Sequence, residues 1–141
     1  MGQSHKVGNR VRFRDTDAAG IMHFSTFFTY MEEAEHDFLR HLGLSVVMEV
    51  DGLTLSWPRV STKCDFSGVL QFETTFDVEV RVARIGEKSV TYAFRFFRGD
   101  EVVAHGQVVA VCCHVVPGQR PVSVPIPVEF VEALTPYLIE D

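Results

Sequence analysis

The chain changes its hydrophobic period once, and that change limits the folds open to it. Across residues 25–42, Phe27, Met31, Ala34, Phe38 and Leu42 recur at steps of four and three, which gives a helix one apolar stripe. Further on the spacing becomes two. Val60, Thr62, Cys64 and Phe66 alternate with Ser61, Lys63 and Asp65. Phe76, Val78, Val80 and Val82 alternate with Asp77, Glu79, Arg81 and Ala83, and Val90, Tyr92, Phe94 and Phe96 alternate with Thr91, Ala93 and Arg95. Such segments are half-buried strands. One long helix facing consecutive antiparallel strands is an α+β layer arrangement.

The punctuation supports one domain over residues 1–141. A short strand is expected over 7–14, with Val11 and Phe13 on one side and Arg10, Arg12 and Arg14 on the other. Ser25 or Thr26 can cap the helix and Gly43 can end it. Asp51-Gly52 marks a loop, and turns fall at 85–88 and 98–101. The run Val102 to Val116 reads as a central strand bent at Gly106. Pro117, Pro121 and Pro125 form a connector to a short helix with Pro127 in its first turn and Phe130, Val131, Leu134 and Leu138 as its apolar residues. A single helix covers one sheet face only. An exposed edge and an apolar face are therefore expected, and with them self-association.

The formal net charge is −6, which argues against nucleic acid or an anionic membrane as the main partner. Cys64, Cys112 and Cys113 are an odd set in a chain that starts without an apolar leader, so reduced thiols in a cytoplasmic protein are expected. The adjacent Cys112 and Cys113 should point to opposite faces of a strand. There is no CxxC and the histidines are scattered, so no metal site is expected.

The loop Asp15-Thr16-Asp17-Ala18-Ala19-Gly20 precedes the helix. A helix start offers unpaired N–H groups and a partial positive charge. These can hold a carbonyl oxygen whose negative charge grows during attack. A carboxylate beside that point can attack the carbonyl carbon or deprotonate a water that does. The plainer alternative is a turn in which the Asp side chains bind local backbone.

Residues Asp15 to Phe24 resemble the signature of the 4-hydroxybenzoyl-CoA thioesterase family of the hotdog superfamily, and the likeness continues through Tyr30-Met31-Glu32-Glu33-Ala34 and into Val128-Glu129-Phe130-Val131. The resemblance implies a long helix wrapped by a curved antiparallel sheet of about five strands. It implies sheets pairing into homodimers and commonly homotetramers, with acyl-CoA thioester hydrolysis at the dimer interface. By the same comparison Asp17 is catalytic, Asp15 supports the loop, the backbone N–H of Phe24 polarises the thioester carbonyl, and Gly20 turns the chain close to the substrate. His23 and Phe24 depart from the residues frequent at those places; His23 is an additional proton carrier or a plain polar contact. The family often places cations near the hairpin that here spans Arg84 to Lys88, which nominates Arg84 and Lys88 as CoA contacts. No cofactor is implied, since CoA is part of the substrate.

Glu35 is a rival carboxylate, because a second hotdog lineage uses a helix carboxylate in catalysis; its plainer role is a salt bridge. His36 lies on the polar face, and Cys64 lacks an evident activating partner. The 12 Phe, 3 Tyr and Trp57 are core residues that can also line an acyl pocket. The leading function is an acyl-CoA thioesterase. The alternative is a non-catalytic acyl-thioester or acyl-carrier binding module. A hotdog dehydratase would need an Asp and a His in a different loop context.

Overall fold

The computed structural model describes residues 2–140. A five-stranded antiparallel sheet has the order β1-β5-β6-β7-β4, built from β1 (His5–Arg10), β4 (Arg59–Phe66), β5 (Thr75–Ile85), β6 (Ser89–Arg98) and β7 (Glu101–Val111). The long helix α1 (Thr26–His41) lies on it. Its stripe of Phe27, Met31, Ala34 and Phe38 is at most 2% exposed. Opposite it, Val78, Val80, Val82, Val90 and Phe96 are each 0% exposed. The two periods of the sequence therefore meet in one core.

Met31 marks the closest approach. A Cβ on Gly106 would stand 2.3 Å from Met31 Cε and 2.5 Å from Sδ. Pairing runs through Gly106 without a shift of register, opposite Cys64 on one side and Phe94 on the other. The expected bend at Gly106 is thus replaced by a close contact with the helix. The run from Val102 is interrupted at Cys112 instead. Cys112 donates its N–H to the Lys88 carbonyl and accepts from the Val124 N–H, and the chain then enters a second sheet.

That second sheet has the order β2-β3-β8-β9, from β2 (Met48–Val50), β3 (Leu53–Ser56), β8 (Cys113–His114) and β9 (Val122–Ser123). The loop expected at Asp51-Gly52 is the turn of its hairpin, with φ of 51° and 80° at the two residues. Consecutive positive φ values match the right-handed twist of paired strands. The closing helix α2 (Val128–Leu134) has Pro127 at its N-cap, one residue before the first turn.

Three further expectations are corrected. The first strand stops at Arg10, and Phe13–Asp15 is a single 3-10 turn. The Asp15 carboxylate accepts the Arg12 N–H at 2.9 Å and bends the chain there, so Phe13 ends 79% exposed against Phe72. Strand β4 is not half-buried: it pairs only with β7, its register shifts between Arg59 and Ser61, and Val60 is 62% exposed. The uncovered sheet face is not apolar. It carries Glu79, which Arg95 and Arg81 approach at 2.6 and 3.2 Å. Val60 and Phe66 of β4, Val69 and Phe72 of the segment that follows it, and Phe24 are among the exposed apolar groups. No helix among the described residues is long and apolar enough to cross a membrane.

Candidate active site

The loop before α1 is held by the segment 67–72. Met22 donates its N–H to the Leu70 carbonyl, Phe72 donates to Gly20, and Ile21 bridges to Gln71. The segment itself is fixed to β7, because Ser67 and Gly68 both donate to the Val103 carbonyl. Arg98 Nη1 reaches the Val69 carbonyl at 2.7 Å. Gly20 has φ +77°, with nothing within 4 Å of an added Cβ. It is required for its backbone angle, and its role is to close the turn in which its N–H donates to the Asp17 carbonyl.

Within this frame the two carboxylates have opposite situations. Asp15 is buried, and its Oδ2 accepts from the Arg12 N–H and from Tyr30 Oη. Its carbonyl accepts the His23 N–H. Asp17 is half-buried, and its Oδ1 accepts the Ala19 N–H at 2.8 Å. That single local bond orients the side chain and leaves Oδ2 open.

The helix start is uncapped. Ser25 occupies the N-cap without a side-chain cap bond, because its Oγ lies 2.8 Å from His23 Nδ1. Thr26 Oγ1 turns to the Asp15 carbonyl. The expected cap by Ser25 or Thr26 is therefore absent, since the loop claims both hydroxyls. His23 Nδ1 also accepts the Ser25 N–H. The ring stacks on Phe24 at 4.6 Å, which gives His23 a local holding role. The N–H of Phe24 has no acceptor among the described residues.

Asp17 and Phe24 line one cleft of about 190 Å³, with Ile21, Met22, Phe27, Phe66, Gly68 and Val69 completing its walls. Phe27 and Phe66 meet edge to face at 4.9 Å. The cleft thus joins one carboxylate to an apolar chamber at a helix N-terminus, where a developing oxyanion is favoured. Phe66, Gly68 and Val69 were not singled out in the sequence as site residues, because they lie far along the chain from the loop they wall.

The remaining candidates lie elsewhere. Glu35 is 1% exposed, and its Oε2 accepts from Arg59 Nη2 at 2.9 Å. Burial pushes its carboxyl up to about 7, against the pull of Arg59. It lines a different cleft from Asp17, with Phe28, Glu32, Arg59, Thr62 and Val108. Burial lowers His36 below the usual histidine range. Burial, with Asp65 beside it, pushes the Cys64 thiol up to about 11, which leaves no nucleophilic thiolate at neutral pH. Arg84 and Lys88 are exposed at the Ile85 end of β5. The Asp17 loop is anchored at the other end, where Val11 donates to Thr74. Ten residues of strand separate the ends, or about 33 Å, so one protomer does not bring these cations to its own Asp17. No group of three or more His, Cys, Asp or Glu suited to a metal occurs among the described residues.

Comparison with known proteins decides the family. The family model of the thioesterase-like superfamily matches residues 11–134. The chain belongs to the thioesterase-like superfamily. Within this superfamily it is 30% identical over 102 residues to the 1,4-dihydroxy-2-naphthoyl-CoA hydrolase of Prochlorococcus marinus (strain MIT 9303), covering 67% of this chain and 68% of that one. The solved structure of BH1999, a gentisyl-coenzyme A thioesterase, superposes with a TM-score of 0.80 at 28% identity, covering 92% of this chain and 99% of that one. The 1,4-dihydroxy-2-naphthoyl-CoA thioesterase Slr0204 from Synechocystis shares the fold, with a TM-score of 0.83 at 18% identity over 94% of this chain and 96% of that one. These thioesterase-like relatives are named for naphthoyl- and gentisyl-CoA, and none of the three for 4-hydroxybenzoyl-CoA.

Proposed function

We propose that this chain is an acyl-CoA thioesterase acting on an aromatic acyl group, with Asp17 as its catalytic carboxylate. The observation that carries the reading is the cleft in which the open oxygen of Asp17 and the unclaimed N–H of Phe24 share apolar walls. The thioester carbonyl oxygen accepts from the Phe24 N–H, which stabilises charge as the carbonyl carbon becomes tetrahedral. Asp17 Oδ2 acts in one of two ways. It adds to the carbonyl carbon, the C–S bond breaks, CoA leaves as the thiolate, and water then cleaves the mixed anhydride. Otherwise it takes a proton from a water that adds directly, and the same C–S bond breaks. Either route yields a carboxylic acid and CoA thiol. Label found in Asp17 after a single turnover in ¹⁸O-labelled water would identify the anhydride route, with water opening the anhydride at the Asp17 carbonyl.

The aromatic assignment rests on Phe24, Phe27 and Phe66 around the reacting point and on the aryl-CoA names of the relatives. A panel of CoA thioesters, with thiol release as the readout, tests it. The expected order places 1,4-dihydroxy-2-naphthoyl-, gentisyl- and benzoyl-CoA above acetyl- and palmitoyl-CoA. Binding of these esters without thiol release would instead make the chain a binding module.

A further inference from the structure

The ion pair between Glu35 and Arg59 is incomplete in a way that points to a ligand. Arginine–carboxylate pairs are commonly bidentate, with two parallel N–H···O bonds. Here only Nη2 and Oε2 meet, at 2.9 Å. Glu35 Oε1 and Arg59 Nη1 are both buried with no partner. The Glu35 side chain is 2% exposed. Buried polar groups are ordinarily satisfied, and each exception calls for a reason. Both residues line a cleft of about 170 Å³ whose other walls include Phe28, Thr62 and Val108. A free acceptor and a free donor on the two members of one ion pair match a hydroxyl group, which donates to one and accepts from the other.

The position of this cleft on the fold says how the hydroxyl arrives. The Asp17 cleft is walled by Phe24 and Phe27 of the α1 end and by Phe66 of β4. The Glu35 cleft is walled by Phe28, Glu32 and Glu35 of α1 and by Arg59 and Thr62 of β4. Both therefore open on the single seam between α1 and β4. From Phe24 to Glu35 the helix rises about 16 Å. Helical side chains lean toward the N-terminus, which brings the Glu35 carboxylate back to roughly 11 Å from the Phe24 N–H.

Building on the thioesterase reading, we propose that Glu35 and Arg59 form the specificity site for the far end of the acyl group, receiving a phenolic hydroxyl on the second of two aromatic rings. A single hydroxybenzoyl ring spans about half the distance from the thioester to the pair, whereas two linked rings span about 10 Å. The first ring lies among Phe24, Phe27 and Phe66. The second follows the seam past Phe28, and its hydroxyl donates to Glu35 Oε1 and accepts from Arg59 Nη1.

The test compares CoA thioesters of biphenylcarboxylic acid with and without a para hydroxyl on the far ring, and uses benzoyl-CoA as a short ester. For the native chain, kcat/KM should favour the hydroxylated two-ring ester by about 10- to 100-fold, because its analogue leaves buried polar atoms unpaired. In the double variant Glu35→Leu with Arg59→Met, which removes both charges together, that ratio should fall to one or below. If the double variant does not fold, the native ratio decides alone. A native ratio near one overturns the proposal, and is what hydration of the two free atoms would give. So does an unchanged ratio in a folded double variant, or turnover of benzoyl-CoA with neither two-ring ester accepted. Turnover of no ester at all overturns the thioesterase reading itself, and this proposal with it.

Discussion

Tyr30 Oη donates to Asp15 Oδ2 at 2.6 Å, tying the second turn of α1 to the loop that precedes it. The bond separates the roles of the two loop acids. Asp15 is occupied by Tyr30 and by the Arg12 N–H, while Asp17 keeps one oxygen open beside the uncapped helix start. Tyr30→Phe should therefore destabilise the fold by about 1.5–3 kcal/mol, the usual worth of a hydrogen bond to a charged group. Its kcat should fall far less than that of an Asp17 variant. Urea denaturation and steady-state thiol release check the two halves.

Glu35 predicts a pH dependence of stability. Burial raises its carboxyl from 4.5 to about 7 in the folded chain. The contribution is present in full below about pH 4.5 and is lost as pH rises through about 7, because in that window only the folded state retains the proton. Glu35→Gln cannot titrate. The native chain should lose stability relative to this variant between those pH values, by up to about 3 kcal/mol. Urea midpoints across the window measure the difference; parallel curves would contradict it.

Gly106 and Met31 predict a packing coupling. An added Cβ at Gly106 would collide with the tip of Met31, which is fully enclosed. Gly106→Ala should destabilise by about 1–3 kcal/mol through overpacking. Shortening the opposing side chain in Gly106→Ala with Met31→Val should recover part of that loss, so the double-mutant cycle should give a coupling of about 1 kcal/mol.

Period alone made the core legible. The stripe on α1 and the alternating sets on β5 and β6 are buried where the pattern places them, because each faces one partner layer. The pattern failed on β4, where the same alternation occupies an edge and leaves Val60 and Phe66 exposed. Alternation marks which residues share a face and says nothing of whether that face is covered. The hairpin at Asp51-Gly52 was missed because strands of three and four residues are too short to show a period. The Asp17 loop stood out as a motif, but its wall at residues 66–69 and the Glu35–Arg59 contact join segments far apart in the chain, and no local spacing encodes them.

Arg84 and Lys88 are predicted to serve another protomer. They sit at the end of β5 remote from the Asp17 loop, so any contact with CoA at an Asp17 site comes from a neighbouring copy. The chain should be a dimer or larger at micromolar concentration by light scattering, with the exposed edge β4 and its apolar residues inside the contact. Replacing both cations by Ala should raise KM by about 3- to 10-fold and leave kcat nearly unchanged, as for a contact equal in ground and transition states. Added salt should shrink the difference. A monomer, or a fall in kcat at constant KM, would contradict this arrangement.

The most direct measurement is the turnover of Asp17→Asn on an aryl-CoA that the native chain hydrolyses, with circular dichroism to confirm the fold. The amide keeps the shape and the acceptor for the Ala19 N–H, but it neither forms an anhydride nor takes a proton from water. The account predicts that kcat falls by about 10²–10⁴-fold. It is contradicted if Asp17→Asn keeps near-native kcat while Glu35→Gln, equally well folded, loses it; the catalytic carboxylate would then be the one on the helix.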